Sequence, residues 1–277
     1  MKSTEKQLTS IPAFSTIKNY WETRTPGIKH SNSEPGTLEF LDELEYKRYN
    51  KHYAYLMESA EFDQYNGKDV LEIGCGMGID LLQYAKGGAN VTGIDLTEKA
   101  IQNSKAHFAH RNMKGTFHTM NSEKLDFPDN SFDLVYSFGV LHHTQDTQQA
   151  INEVNRVLKP GGKAIIMLYH KGFRYYMKIH FYYGVLKAEY LKYGIKDLVN
   201  QRTEEFFHSP MTRVYSRKDA LKLFNSFSSI QSKDAYRIDD NIWILGKFFQ
   251  ISDYFPRAIR RALEQRIGWN ILIKAIK

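Results

Sequence analysis

Val70-Leu71-Glu72-Ile73-Gly74-Cys75-Gly76-Met77-Gly78 is the stretch that sets the architecture of this 277-residue chain. A short apolar run, broken only by Glu72, ends in three glycines within five positions, and a helical pattern starts at Ile79. Glycine lets the backbone take positive φ and lets a ligand approach closely. The first turn of the helix that follows has N–H groups without intrahelical partners, suited to a carboxylate or a phosphate. The spacing is G-x-G-x-G, not the G-x-G-x-x-G of dinucleotide folds. Glu72 would repel a pyrophosphate and attract an ammonium group. Asp95, which ends the next apolar run, offers a carboxylate to both hydroxyls of a ribose. Dinucleotide sites use the same device, so Asp95 alone does not discriminate. A plain strand-to-helix turn explains the glycines but not their framing by two acids.

Outward from this loop the pattern alternates. Residues 70–73, 91–94, 115–119, 132–138 and 163–169 read as strands; residues 79–86, 98–110 and 147–158 read as helices between them. Lys159-Pro160-Gly161-Gly162 is a tight turn. Such alternation predicts an α/β fold, a mostly parallel sheet with helices on both faces. Residues 1–60 read as an N-terminal helical cap or lid, with turn signals at Thr25-Pro26-Gly27 and Ser33-Glu34-Pro35-Gly36. Residues 61–277 then form the main domain, with its cofactor half at 66–170. Past Tyr169 the regularity stops. Insertions at 171–215 and 239–266 are expected to form a substrate lid, and the first carries eight aromatic residues between Phe173 and Tyr193. A helix from Ser216 to Phe227, with Ser216 as N-cap, and strands at 229–236 and 269–276 complete the pattern.

Composition narrows the function. Hydrophobic residues are 42% and charged residues 25% of the chain, which excludes wholesale disorder. Cys75 is the single cysteine, so a disulfide scaffold, a multi-cysteine zinc site and an iron–sulfur cluster are excluded, and no metal is expected. Met1–Gln7 lacks the apolar core of a signal peptide, and no run approaches a membrane span, so a cytoplasmic location is expected. Net charge is +7, but residues 61–160 hold 9 basic and 13 acidic side chains while residues 171–277 hold 20 and 10. A basic last third suits anionic substrates, nucleic acid or peripheral contact with an anionic membrane; a solvated helix surface is the plainer reading. The basic stretch 256–267 places Ile259, Leu263 and Ile267 on one helical face, to cap the sheet or to rest on a membrane.

Together these residues resemble the class I S-adenosylmethionine-dependent methyltransferases over roughly 66–170. Asn121-Ser122-Glu123-Lys124-Leu125-Asp126-Phe127-Pro128-Asp129-Asn130-Ser131-Phe132-Asp133, Phe138-Gly139-Val140-Leu141-His142-His143 and Leu158-Lys159-Pro160-Gly161-Gly162 fit that family in order. The resemblance implies a Rossmann-like seven-stranded sheet ending in an antiparallel hairpin, and S-adenosyl-L-methionine as cofactor. It places Glu72, Gly74, Cys75, Gly76 and Gly78 at the methionine end of that cofactor, Asp95 on the ribose, and Leu96 against the adenine. Asn121, Ser122 and Glu123 fall at the adenine edge, with Asn121 standing where the family often has aspartate. Phe138 and Gly139 fall at the methionine side.

Methyl transfer from a sulfonium is an in-line displacement, so alignment and exclusion of water carry much of the catalysis. A base is needed only when the nucleophile must lose a proton. His142, His143, Tyr169 and His170 follow the fourth and fifth strands and are the candidates, with structural histidines in loops as the plainer reading. Tyr20, Trp21, Tyr46 and Tyr49 from the cap, with Tyr175 and Tyr176 from the first insertion, are candidate lid residues; ordinary core packing is the alternative. The expected acceptor is a small apolar, aromatic or anionic molecule, methylated on O, N or C. A quinone or lipid precursor is the runner-up, because residues 138–143 resemble that segment of the ubiquinone and menaquinone methyltransferases. Nucleic acid is not expected as a partner: no Asp/Asn-Pro-Pro-aromatic motif follows the fourth strand, and no RNA-binding module is visible. A non-catalytic cofactor-binding protein is the remaining alternative. The oligomeric state is not legible.

Overall fold

Side chains alternate across a strand, so each strand of a doubly covered sheet feeds two separate cores. In the computed structural model, which describes residues 11–24, 31–204, 208–237, 241–244, 247–250 and 255–277, this alternation decides what meets above the sheet. The expected turn at Thr25-Pro26-Gly27 and the Met1–Gln7 segment lie outside the described residues.

The strands in chain order are β1 (Asp69–Ile73), β2 (Asn90–Asp95), β3 (Thr116–Thr119), β4 (Phe132–Phe138), β5 (Leu158–Tyr169), β6 (Ser229–Tyr236), β7 (Asn241–Ile244), β8 (Lys247–Gln250) and β9 (Asn270–Ile276). The helices are α1 (Phe14–Glu22), α2 (Leu38–Lys47), α3 (Leu56–Ser59), α4 (Ile79–Lys86), α5 (Glu98–His110), α6 (Thr147–Val157), α7 (Ile195–Arg202), α8 (Arg217–Lys222) and α9 (Arg257–Ile267). Seven strands form one sheet in the order β3-β2-β1-β4-β5-β9-β6, and β7 with β8 makes a separate two-stranded hairpin. β1 to β5 run parallel; β9 is antiparallel to both of its neighbours, β5 and β6. The chain order reverses between β1 and β4, which opens a crevice beyond their carboxyl ends.

Leu71 and Ile73 of β1, Val135 of β4 and Ile166 and Leu168 of β5 belong to one core. Ala150, Ile151, Val154 and Val157 of α6, spaced for a single helical face, close that core. Val70, Leu134, Tyr136, Ile165 and Met167 belong to the other, under Leu81, Leu82 and Tyr84 of α4 and Ile101 and Phe108 of α5. Glu72 has the parity of Val70 and pairs with Tyr136 across β1 and β4, so it emerges on the α4 face. Threonine and aspartate side chains start the helices: Thr97 Oγ1 accepts from Ala100 N at 3.3 Å, and Asp146 Oδ1 from Gln149 N at 3.0 Å.

The N-terminal helices are tied down at three points. Phe40, Leu41 and Leu44 of α2 pack on Met77 and Ile79. Glu22 at the end of α1 accepts from Glu98 N and Lys99 N at 3.2 and 3.0 Å, a carboxylate on the amino end of α5. Arg48 forms a two-pronged ion pair with Asp80, which has 2% of its side chain exposed. The same carboxylate accepts from Tyr49 Oη at 2.6 Å and from Tyr136 Oη at 2.7 Å.

Some expectations shift. Ser216 caps α8 by accepting from Asp219 N at 3.2 Å, as expected, but the helix ends at Lys222 rather than Phe227. Bonds from Leu223 N to Ala220 O and from Phe224 N to Leu221 O tighten the chain into turns that bury Phe224 and Phe227. The aromatic stretch forms a π-helical segment, Arg174–Leu186. The expected antiparallel hairpin partners, β6 and β9, do pair, and α9 lies along β6, where Arg261 Nη1 donates to Ala235 O at 2.9 Å. No helix among the described residues is long and apolar enough to cross a membrane.

Removing one partner of a buried ion pair strands the other charge, at a cost of about 3–5 kcal/mol, whereas exposed pairs contribute about 1 kcal/mol or less. Arg48→Met is therefore expected to lower unfolding stability by about 3 kcal/mol. Lys86→Met, which breaks the exposed Lys86–Glu45 pair, is expected to cost less than about 1 kcal/mol. Urea midpoints measure both, and equal small losses would contradict the reading of Asp80 as the tie between the N-terminal helices and the sheet.

Candidate functional site

The crevice at the switch point has a volume of about 580 Å³. Its walls include the loop after β1, the end of β2, the loops after β3 and β4, α1, and parts of the segment after β5.

Gly74, Gly76 and Gly78 all take positive φ, at 77°, 56° and 71°. A Cβ on Gly74 would lie 2.2 Å from Val140 Cγ2, so only glycine lets this turn pass under the β4 loop. A Cβ on Gly76 would meet nothing within 4 Å, because that position faces the open crevice. The resemblance implies that these residues hold the ligand, yet several of their amides already have partners. Gly74 N and Cys75 N donate to Ile94 O at 2.7 and 3.0 Å, and Gly78 N donates to Cys75 O at 2.7 Å. Ser104 Oγ donates to Gly76 O at 3.0 Å, and His107 Nδ1 bonds Met77 O at 2.9 Å. The loop is thus a rigid, preshaped cradle. Gly78 is turned toward Ser104 and Phe108 and does not line the crevice, whereas Gly74, Cys75 and Gly76 do. The Cys75 thiol is buried, and burial followed by the Asp95 charge pushes its pKa well up, which keeps it protonated.

Two acids face this cradle. Glu72 is buried, with Oε2 lacking a hydrogen-bond partner. Burial, and then the nearby Asp80 charge, push its carboxyl well above the usual range, against the pull of Arg48. Asp95 is half-buried at the end of β2. Its Oδ2 accepts from Gly76 N at 3.1 Å, and its Oδ1 from Thr97 N and Thr97 Oγ1 at 3.0 and 2.9 Å. These bonds fix the carboxylate's orientation; Asp95 lines the crevice, and Leu96 beside it does too. Asn121, Ser122 and Glu123 line the next part of the wall. Asn121 Oδ1 accepts from Glu123 N at 3.0 Å, and Glu123 Oε1 accepts from Gln145 N at 2.7 Å, so both side chains also shape their loops.

The far end of the crevice is aromatic and cationic. Phe138 and Gly139 border it, with Tyr53 edge-on to Phe138 at 5.0 Å between centroids. Tyr169, Trp269, His143, Glu204, Arg174, Lys178 and Arg237 follow. Arg174 lies over the Trp269 ring at 5.1 Å, and Arg237 donates to Tyr53 Oη at 3.0 Å. Trp21 of α1 meets the His143 ring edge-on at 5.0 Å and closes this end. His143 Nδ1 bonds the Met211 carbonyl at 2.8 Å, and its Nε2 lies 3.4 Å from Glu204 Oε1. Burial and the Glu204 charge together push the Tyr20 hydroxyl up to about 12.

Several candidates sit elsewhere than the sequence suggests. His142 and His170 are buried and do not line the crevice; the His170 ring is spent on the Gly268 carbonyl at 2.8 Å. Tyr49 lies beneath the crevice, bonded to Asp80. Tyr20 packs behind Trp21, with rings 4.9 Å apart, and does not reach the crevice. Tyr46 and Tyr176 are exposed, and Tyr175 packs in the cluster around Ile179 and Trp269. Of the two insertions, the first contributes Arg174, Lys178, Thr203 and Glu204 to the wall, while no described residue of 239–266 reaches it. Sequence reasoning missed Arg48, Tyr53, Glu204, Arg237 and Trp269, which come from segments with no motif. Asp80 was the one missed residue with a signal, an acid in the first helical turn after the glycine loop.

Residues 71–166 match the family described as "Methyltransferase domain". A ubiquinone biosynthesis O-methyltransferase of Coxiella burnetii (strain Dugway 5J108-111) is 28% identical over 159 residues, 57% of this chain and 65% of that protein. The chain spans between about half and two thirds of the length of the curated relatives it matches. Among solved structures, an S-adenosylmethionine-dependent methyltransferase from Mesorhizobium loti aligns with a TM-score of 0.55 at 19% identity, over 86% of this chain and 100% of that one. A protein described as the [4+2]-cyclase SpnF aligns with a TM-score of 0.59 at 17% identity, over 96% of each chain. At such identities the structures speak for the fold alone. Residues 71–166 thus match a methyltransferase domain, and the fold is that of class I S-adenosylmethionine-dependent methyltransferases.

Proposed function

We propose that this protein transfers a methyl group from S-adenosyl-L-methionine to a small acceptor held between Phe138, Tyr53, Tyr169 and Trp269. The observation that carries this reading is the pair of acids in one crevice. Glu72 has an unpartnered buried oxygen suited to an ammonium, and Asp95 is oriented to receive a diol. A dinucleotide would set its pyrophosphate against Glu72. The bound cofactor would supply an electrophilic methyl group on a sulfonium. The chain's part is alignment: the glycine cradle and Asp95 fix one partner, the aromatic end fixes the other, and Trp21 and the β4 loop exclude water. Arg174, Lys178 and Arg237 favour an acceptor carrying negative charge or a polar oxygen. The curated relatives named as ubiquinone biosynthesis O-methyltransferases support an oxygen acceptor on an aromatic or quinone precursor as the finer reading.

The direct test incubates the enzyme with heavy-methyl cofactor and cell extract, followed by mass spectrometry. One metabolite gaining a single labelled methyl is expected; cofactor that binds but is never consumed would contradict the proposal. Asp95→Ala removes hydrogen bonds to a charged acceptor, each contributing about 1.5–3 kcal/mol, so calorimetric affinity for S-adenosylhomocysteine should fall roughly tenfold or more. An unchanged affinity would mean the sugar lies elsewhere.

Glu72 gives a pH dependence with a definite sign. Its carboxyl is pushed well up in the free protein, and an ammonium partner favours the ionised form. Binding of S-adenosylhomocysteine should therefore release protons and tighten as pH rises through the raised pKa. Calorimetry in buffers of different ionisation enthalpy measures this, and Glu72→Gln should abolish the release. Proton uptake, or no buffer dependence in the wild type, would contradict the placement of the ammonium on Glu72.

A further inference from the structure

Three polar side chains at the acceptor end gather buried ligating atoms that lack a hydrogen-bond partner, although the Glu204 carboxylate also takes a hydrogen bond from Tyr169. His142, His143 and Glu204 each bring one such atom within 4.8 Å of the others. His142 is wholly buried, and neither ring nitrogen has a hydrogen-bond partner. Its ring lies 3.8 Å from that of Tyr169 and 4.3 Å from that of His143, centroid to centroid. A buried polar atom left without a partner destabilises the fold. The Met211 carbonyl accepts from His143 Nδ1, which puts the proton on that nitrogen and turns Nε2 toward Glu204 Oε1 at 3.4 Å. Neither Nε2 nor Oε1 has a hydrogen-bond partner. The two atoms stand at ion-pair distance, so a proton between them would satisfy that pair but would leave His142 unsatisfied.

We propose that His142, His143 and Glu204 bind one divalent d-block cation, zinc foremost, with an open coordination position toward the crevice. Two imidazoles and a carboxylate are the donor set of zinc and its neighbours; magnesium and calcium take oxygen. The bond from His143 Nδ1 to the Met211 carbonyl is the outer support that metal-bound imidazoles use. His143 and Glu204 line the crevice and His142 stands behind them, so the vacant side of the cation faces the acceptor. Arg174 donates to the Thr203 carbonyl and lies over the Trp269 ring, and its charge also favours the ionised Glu204 carboxyl. Binding draws the three atoms together to the separation of roughly 3.3 Å that metal–ligand bonds of about 2.0–2.1 Å impose. The sequence carries no metal spacing because Glu204 lies far along the chain, in the first insertion. In that position the cation would hold an acceptor oxygen, which rests on the methyltransferase reading above.

The test uses the full chain, stripped with a chelator, dialysed against zinc and analysed for metal content. One zinc per chain is expected, with retention at least tenfold lower in Glu204→Gln and in His142→Phe. Cobalt in place of zinc should give the visible ligand-field bands of a nitrogen- and oxygen-ligated site. Wild type retaining no more zinc than Glu204→Gln, or lacking those bands, would overturn the proposal. Should His142→Phe fail to fold, Glu204→Gln at the crevice wall and the wild-type cobalt spectrum still decide. Calorimetry with S-adenosylhomocysteine on the same samples separates the two claims. Zinc retained without nucleoside binding sinks the methyltransferase reading alone, and nucleoside bound without zinc sinks the cation site alone.

Discussion

The buried carboxylate of Asp80 is the constraint on which the site depends. It receives Arg48 in a two-pronged pair and the hydroxyls of Tyr49 and Tyr136, and so joins three parts of the chain: the segment after α2, the start of α4 and the middle of β4. A buried ion pair adds little net stability, since desolvation offsets most of the attraction. Its contribution here is registry. An apolar contact would let the N-terminal helices slide, whereas a forked pair with two added hydrogen bonds holds in one geometry. The same Asp80 charge faces Glu72 and, after burial, pushes that carboxyl further up. The scaffold and the ligand site thus share one electrostatic network.

The crevice is asymmetric along its length. At one end the backbone is spent on itself: the glycine-loop amides and carbonyls are bonded to Ile94, Cys75, Ser104 and His107. That end offers a shaped surface and two carboxylates. At the other end aromatic rings and guanidinium groups stand around His143 and Glu204. An amino-acid tail with its ammonium on Glu72 would suit the first end, and a flat molecule with negative or polar oxygen the second. On the proposed reading, opposite chemistries at the two ends would bring two reactants together in only one orientation.

Most of the sheet was legible in the sequence because short apolar runs and helical patterns alternate clearly between Val70 and Tyr169. That Gly74 to Gly76, Asp95 and Asn121 to Glu123 would share one crevice was legible for the same reason: they follow strand ends, where backbone position alone dictates placement. The far end of the crevice was not. Tyr53, Glu204 and Trp269 reach the crevice from three segments distant in sequence, and local patterning carries no information about such meetings. Tyr49 and His142 had the right residue types but the wrong sides. The π-helical segment after Phe173 has no periodicity that distinguishes Tyr175 and Tyr176 from lining residues such as Arg174 and Lys178. The shortened α8 reflects tertiary burial of Phe224 and Phe227 overriding helical continuation.

The central claim is that one crevice receives an ammonium on Glu72 and a ribose on Asp95. A crystal structure of the protein soaked with S-adenosylhomocysteine tests it most directly. The account predicts density across the carboxyl ends of β1 and β2, with the amino nitrogen against Glu72 and both sugar hydroxyls on Asp95. An empty crevice, or one that instead takes a nicotinamide dinucleotide when both are supplied, would contradict it.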